Sequence, residues 1–405
     1  MIRIKEISIF NYKSCIKTSF DINSNLSAFI GVNGAGKSNI LTSLLLLKNI
    51  TNRKYYHPTL SEQEKNIQTR IDLLLEIDSV EYNLKSDFIV DIDENNNDVV
   101  KLSNSKFRNT SKRGRFKLIN PQILEMSKYI EYNILSSNFD KIRNDLFGKS
   151  DLSKDEIDFH LKLVNYTSSI NYYSATQFSN PKICPTSIDL DNYRLVNSRK
   201  RTPHETFIYD LFISSKEDKI LYKRFLNIAG TSGLELIENI KFYEHNIPNS
   251  QLKVKSGGKI EKIDSLRKII VPSIIIDSLN LSPNQLSEGT FKTLALIFYI
   301  LKDESNLLII EEPEVCVHHG LLSSIMELIK FESKNKQIFV STHSDFILDK
   351  LKPENVILVD KRNESGTTAF PLINALNEDN LGELKEYLEY SGNLGEYWKE
   401  TGFDI

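Results

Sequence analysis

The chain has 405 residues, 40% of them hydrophobic and 26% charged, with a net charge of −3, an ordinary balance for a globular protein that excludes a global basic field. Three cysteines (Cys15, Cys184, Cys316) without CxxC spacing argue against a disulfide framework or a zinc site. No apolar run of roughly 18 residues or more occurs, and the start M-I-R-I-K-E-I has no signal-peptide core, so a cytoplasmic protein without a membrane segment is expected.

Met1 to Ile9 alternates isoleucines with polar residues and predicts a half-buried strand, with a turn at Phe10 to Ser14 and a second strand near Ile16 to Ile22. A short apolar run, Leu26, Ala28, Phe29 and Ile30, then enters G-V-N-G-A-G-K-S, Gly31 to Ser38, and helical signal follows to about Lys48. This is the strand–GxxxxGK[ST]–helix arrangement. Its spacing has a physical reason: glycines let successive backbone N–H groups turn inward as an anion nest, and the helix N-terminus adds its positive end. The candidate phosphate-binding set is Gly31, Asn33, Gly34, Ala35, Gly36, Lys37, Ser38 and Asn39. Lys37 would reach the β- and γ-phosphates, and the Ser38 hydroxyl would ligate Mg²⁺. The bland alternative is a glycine-rich turn joining strand to helix, but the flanking elements favour a nucleoside triphosphate here.

Thr69 to Ile77 and Val80 to Val90 predict antiparallel strands, with a polar tip at Asp93 to Asp98. Lys106 to Lys117 holds six basic residues in twelve with two phenylalanines between them. Such a segment can clamp a nucleic-acid backbone or be a solvated loop. Ile119 to Leu163 reads as helical without a sustained heptad, Ser169 to Gln177 as a core strand ending in a polar turn, and Thr206 to Ile240 as helical again. Arg199 to Arg201 and Lys253 to Lys268 add basic clusters, and regular α/β character returns at Val271. The expected organisation is an α/β nucleotide-binding head formed by residues 1–50 and 270–405, split by a strand arm and mainly helical insertion over 51–269.

Leu307 to Glu314 (L-L-I-I-E-E-P-E) is an apolar strand ending in acids. At the carboxyl edge of a parallel sheet, Glu311 is placed to hold Mg²⁺ through water and Glu312 to orient and deprotonate an attacking water. Gln285 to Thr290 precedes an amphipathic helix, so Ser287 and Gly289 form either a second anion-directed helix start or a simple N-cap. Gln337 to Ser344 is another apolar strand, ending in His343; such a histidine is commonly structural, yet this one could report on a γ-phosphate.

Taken in order, GVNGAGKS, LSEGT, LLIIEEPE and STHS, together with N-Y-K-S at Asn11 to Ser14, resemble the ABC-type ATPase head of the RecF/SMC-like and OLD-like group. The resemblance covers about residues 1–50 and 270–360 and implies a P-loop NTPase fold, ATP and Mg²⁺. By position it makes Gly31 to Ser38 the Walker A loop, Leu307 to Glu312 Walker B, Glu312 the catalytic glutamate, Ser287 to Thr290 the signature, and His343 the switch histidine. It places Lys13 and Ser14 near the nucleotide, offers Gln177 as a metal-contacting glutamine, and matches His318 to a histidine after E-P-E. Two departures are Glu311 where many heads have Asp, and Glu288 where transporters have Gly.

The resemblance further implies a head-to-tail homodimer sandwiching two ATP molecules, each capped by Ser287 and Gly289 of the opposite subunit. OLD nucleases carry a TOPRIM domain after the head; only about 45 residues follow Asp360 here, without D-x-D, so nuclease activity in this chain is not expected. The leading expectation is a slow ATPase switching a separately encoded effector, such as a nuclease, in antiphage defence. The alternatives are a RecF-like repair ATPase that binds DNA through its insertion, and an ATP-bound assembly scaffold with little hydrolysis.

Overall fold

The computed structural model describes residues 2–51, 56, 58–92, 98–112, 114–119, 153–190, 201–254, 260–315, 317–362, 365–376, 378–390 and 392–401. The chain divides into two compact units: Met1–Tyr173 with Asp303–Pro313 and Met326–Ile405, and Ser174–Lys302 with Glu314–Ile325. In chain order the strands are β1 (Ile2–Tyr12), β2 (Cys15–Asp21), β3 (Leu26–Ile30), β4 (Thr69–Ile77), β5 (Val80–Ile92), β6 (Asp98–Asn109), β7 (Lys117–Leu118), β8 (Asn171–Ser174), β9 (Ile188–Asp189), β10 (Asn239–Val254), β11 (Ile260–Ile276), β12 (Leu279–Leu281), β13 (Leu307–Glu311), β14 (Gln337–Thr342), β15 (Val356–Arg362) and β16 (Gly366–Pro371). The helices are α1 (Lys37–Ser43), α2 (Glu62–Lys65), α3 (Lys154–Ser169), α4 (Pro203–Glu217), α5 (Lys219–Ala229), α6 (Glu288–Lys302), α7 (His319–Glu332), α8 (Asp345–Leu348), α9 (Leu372–Ala375), α10 (Glu378–Tyr390) and α11 (Leu394–Thr401).

The first unit holds two six-stranded sheets, ordered β2-β1-β4-β5-β6-β7 and β16-β15-β3-β14-β13-β8. β4 alternates strictly between buried and half-buried positions, and β1 does so on either side of a break at Lys5 and Glu6, as expected for a sheet with one wet face. β3 and β14 are buried at every position and lie centrally and parallel, from Ile338↔Leu26 to Thr342↔Ile30. That is how uninterrupted apolar runs read when both faces of a parallel sheet are covered. Phe29 on β3 packs edge-on against Phe20 of β2 (5.8 Å) and Phe339 of β14 (5.6 Å), joining the two sheets' cores. A fully buried side chain of this kind contributes about 1.5–3 kcal/mol relative to exposure.

The second unit is built on a long antiparallel hairpin, β10 with β11, paired from Asn239↔Ile275 to Val254↔Ile260, with β12 and β9 also on β11. Here the sequence expectation is corrected in two places. Helix does not run to Ile240: α5 ends at Ala229, because the chain turns at Gly230 and Gly233, where a Cβ would sit 2.4 Å from the Leu226 carbonyl oxygen and 2.2 Å from that of Ile228. The described backbone of the basic stretch Lys253 to Lys268 is hairpin strand, so this part of the insertion is not mainly helical. Strand β1 also extends through Tyr12 past the expected turn, which narrows to Lys13 and Ser14. The expected helix over 120–152, the polar tip at 93–97 and the basic pair 199–200 lie outside the described residues.

Candidate active site

The phosphate loop leaves the carboxyl end of β3, in the middle of the second sheet, and its glycines are each required. At Gly31 a Cβ would lie 2.0 Å from the Val359 carbonyl oxygen of β15. Gly34 takes φ +80° and Gly36 φ +107°, in the left-handed region that favours glycine. Nothing lies within 4 Å of a Cβ built on Gly34, so the loop presents open backbone there, whereas one on Gly36 would meet Thr367 Oγ1 at 2.0 Å and Ser14 Oγ at 2.9 Å. No side chain caps α1 at Gly36. A concave backbone with uncapped N–H groups is what a phosphate oxygen needs. Asn33, Gly34 and Ser38 are exposed and Ala35 is buried.

Lys37 is buried to 5% exposure, and its ammonium donates to the carbonyl oxygens of Gly31 (2.9 Å) and Val32 (3.2 Å). The loop therefore curls around a fixed positive charge. The Lys37 ammonium also lies 3.4 Å from His343 Nδ1, and His343 Nε2 lies 3.6 Å from Glu312 Oε1. Burial and the Lys37 charge hold the His343 pKa below its ordinary value, against the opposing pull of Glu312. The neutral imidazole thus accepts from Lys37 through Nδ1 and turns Nε2 toward Glu312.

Glu312 follows β13 with φ 47°, and its N–H donates to the Ser341 carbonyl oxygen (3.0 Å) on β14. A non-glycine residue held there costs about 1–3 kcal/mol. Its neighbour Glu311 ends β13, and the Tyr172 hydroxyl on β8 donates to the Glu311 carboxylate. Ser341, the register partner of Glu311, has a buried hydroxyl with no hydrogen-bond partner among the described residues. No group of three or more His, Cys, Asp or Glu side chains forms a metal cage among the described residues. Mg²⁺ that shares phosphate and water oxygens needs only one or two protein ligands, so the absence of such a cage does not bear against it.

Asn39 is engaged elsewhere: its amide donates to Ser14 Oγ at 2.7 Å, so it holds the loop after β1. Lys13 has φ 50°, and its ammonium sits 5.6 Å from the Tyr12 ring centroid. Tyr12 is buried and donates to Thr42 of α1 (3.3 Å), tying β1 to the helix behind the loop. Tyr172, Thr367 and Ser341 were not legible as site residues, since hydroxyl side chains in apolar strands carry no spacing signal.

The remaining candidates belong to the second unit. Ser287 is the N-cap of α6: its hydroxyl accepts from the Thr290 N–H (3.1 Å) and lies 2.8 Å from the Thr290 hydroxyl. Glu288 pairs with buried Lys292 at 2.7 Å, which lowers its pKa, and accepts from the Asn180 N–H (3.4 Å). Gly289 is half-buried in the first turn of α6, and Gln177 is exposed in a 3₁₀ turn over Ala175–Phe178. His318 is exposed, its Nδ1 accepting from the Gly320 N–H (3.3 Å).

In the first unit, Lys106 and Arg108 lie on β6, and Phe116 follows the turn. The Phe116 ring has Lys85 at 5.0 Å, Arg108 at 4.9 Å and Lys106 at 6.0 Å from its centroid. Lys112 and Lys117 pair with Asp155 and Glu156 of α3.

A family model described as an AAA ATPase domain matches residues 2–348. No curated protein matches the chain. Among solved structures, an SMC head bound to the C-terminal winged-helix domain of ScpA is 13% identical (TM-score 0.45, 90% of this chain and 96% of that one). The SMC head domain from Thermotoga maritima is 15% identical (TM-score 0.41, 91% and 98%). An SMC head with an extended coiled coil, bound to the C-terminal domain of ScpA and derived from Pyrococcus furiosus, is 14% identical (TM-score 0.43, 95% and 100%).

Proposed function

This chain belongs to the AAA ATPase domain family, and we propose that its ATPase site is completed by a second copy of itself and that its ATP state switches a separately encoded effector, such as a nuclease in antiphage defence. The observation that carries the reading is the row Lys37–His343–Glu312 beside an open glycine loop. It sets a cation, a neutral imidazole and a carboxylate along one edge of the sheet.

In this reading the backbone of Gly31 to Gly36 and the Lys37 ammonium bind the phosphates. Bound Mg²⁺, held by Ser38 and through water by Glu311, would neutralise phosphate oxygens. Glu312 takes the proton of a water as that water's oxygen bonds to the γ-phosphorus and the bond to the bridging oxygen breaks, leaving ADP. His343, held between Lys37 and Glu312, links the phosphate-binding charge to the base. Tyr172 orients Glu311. Gln177 and Lys13 are second contributors to metal and nucleotide. Ser287 and Gly289 of the opposite copy would cap the γ-phosphate. Residues 1–50 and 270–405 would carry the nucleotide chemistry, and 51–269 the recognition surface.

Mixing two inactive variants tests the shared site. Lys37→Ala removes the cradle and Ser287→Arg blocks the cap, so each chain alone should be inactive. In a composite site the mixture regains activity, because one of its two interfaces pairs an intact cradle with an intact cap. Absence of any regained turnover, with both chains folded and mixed, counts against the composite site.

A second reading, a repair ATPase that binds DNA, has one observation in its favour: the cations Lys85, Lys106 and Arg108 gathered around Phe116. Strong, salt-sensitive stimulation of turnover by DNA would favour it over the defence switch. The third reading, a scaffold with little hydrolysis, requires Glu312→Gln to leave ATP-dependent assembly unchanged.

A further inference from the structure

A second polar cavity lies in the first unit, at the opposite edge of the parallel sheet from the phosphate loop. It is a cleft of about 650 Å³ lined at the amino ends of β3 and β14, near Leu26 and Gln337, whereas Gly31 and His343 follow the carboxyl ends of the same strands. Among the described residues six cations line it, Arg3, Lys5, Lys330, Lys334, Lys350 and Lys352, and one carboxylate, Glu354. Lys5, Lys330 and Lys352 pair with Glu76 (3.0 Å), Glu327 (2.8 Å) and Glu354 (4.0 Å). Arg3, Lys334 and Lys350 have no carboxylate within 4.0 Å among the described residues.

The frame of the cleft is cross-linked by buried polar contacts. Gln337, 2% exposed, accepts from the Ile4 N–H (2.6 Å) and donates to the Ile4 carbonyl oxygen (2.9 Å), fastening β1 to β14. Asn355 donates to Ser24 Oγ (3.0 Å) and to the Leu26 carbonyl oxygen (3.1 Å), fastening the turn before β3 to the turn before β15. The register of β1 on β4 shifts between Ile4 and Glu6, and the Lys5 carbonyl oxygen accepts from the Ile22 N–H (2.7 Å) at that bulge. Bulges re-aim side chains and recur beside functional sites. Lys334 and Lys350 hold their ammonium groups 5.3 Å from the ring centroids of Phe331 and Phe346, which restricts two long side chains.

We propose that this cleft binds a small polyphosphorylated ligand, separately from the nucleotide site. Three cations without carboxylate partners at one cavity give it a positive potential that favours a ligand carrying several negative charges, and the volume falls within the range of small-ligand sites. Among the described residues no aromatic side chain lines the cleft. Surfaces that hold single-stranded nucleic acid combine cations with aromatic stacking platforms, so the chemistry favours phosphate groups without a base-reading platform.

Inorganic tripolyphosphate is the probe, titrated calorimetrically into the full chain with the nucleotide site saturated by a non-hydrolysable ATP analogue and Mg²⁺. The expected result is one further tripolyphosphate per chain. The combined Arg3→Gln, Lys334→Gln, Lys350→Gln variant should bind it at least tenfold more weakly with ATP-analogue affinity unchanged. Lys334→Glu alone, at an exposed position, should weaken it severalfold and guards against misfolding of the combined variant. The proposal is overturned if saturated wild-type chain binds no tripolyphosphate, or if Lys334→Glu binds it as tightly as wild type. It is also overturned if sulfate competes equally, which would mark an adventitious ion only, or if an oligothymidylate binds through these residues and tripolyphosphate does not. Failure of ATP-analogue binding itself would instead count against the nucleotide site.

Discussion

Thr367 and Ser14, 353 residues apart, share a hydrogen bond of 2.7 Å in the space that a side chain at Gly36 would fill. The Thr367 hydroxyl donates to the Ala35 carbonyl oxygen at 2.9 Å, so Ser14 donates to Thr367 and itself accepts from Asn39. The relay runs Asn39 to Ser14 to Thr367 to Ala35 and pins the phosphate loop to the β15–β16 hairpin. Thr367→Val should orphan Ala35 and Ser14, costing about 1–3 kcal/mol of stability. ATP affinity should fall while turnover at saturating ATP changes less. Thermal melts and equilibrium ATP binding check both.

Gly36→Ala is a sharper perturbation of the same place. It combines φ +107° with a Cβ 2.0 Å from Thr367 Oγ1, so the loop must open or the hairpin must move. Loss of even one phosphate contact worth about 1.4 kcal/mol is tenfold in affinity. Nucleotide binding should fall by at least that factor, and pairing it with Thr367→Ala should restore part of it. Equal affinity in Gly36→Ala and wild type would refute the packing argument.

Glu312 is held in a left-handed conformation. Glycine relieves that strain, so Glu312→Gly should raise the melting temperature or leave it unchanged while abolishing hydrolysis. Calorimetry beside an ATPase assay checks this; destabilisation by more than about 1 kcal/mol would show that the carboxylate contributes more to the fold than its strain removes.

Burial lowers the pKa of His160, and burial with the Lys37 charge lowers that of His343. A base with a depressed folded pKa binds fewer protons folded than unfolded, so its contribution is fully present above the unfolded value. It is lost as pH falls from about 6.5 toward the lower folded value. Stability should therefore decline on acidification through this window. His343→Gln should show a shallower decline, measured by denaturant titration at several pH values.

Tyr172→Phe removes the hydrogen bond to Glu311 at the end of β13. The Mg²⁺ concentration for half-maximal turnover should shift severalfold, with the melting temperature nearly unchanged because Tyr172 is only half-buried. A Mg²⁺ titration of turnover distinguishes this from a general loss of activity.

The phosphate loop, the acid-ended strand and His343 were legible because each couples an apolar strand to a polar end at fixed spacing. Their meeting in one row, Lys37–His343–Glu312, depends on β3, β14 and β13 lying side by side, an order that the sequence alone did not give. The Thr367 relay was not legible: it comes from a hairpin far along the chain whose hydroxyls carry no pattern. The β10–β11 hairpin was missed for a different reason. Ile260 to Ile276 lacks the period-two alternation of a half-buried strand, its apolar residues recurring at 260, 263, 266 and 269, and the run before Ile240 continued helical periodicity past Gly230. Membrane insertion was not expected, and no helix among the described residues is long and apolar enough to cross a bilayer.

The central claim is that Glu312 acts on a nucleotide cradled by Lys37, and single-turnover hydrolysis of bound ATP by Glu312→Gln tests it most directly. The account predicts ATP bound as tightly as in wild type and cleaved at least about a hundredfold more slowly. Cleavage at the wild-type rate would contradict it.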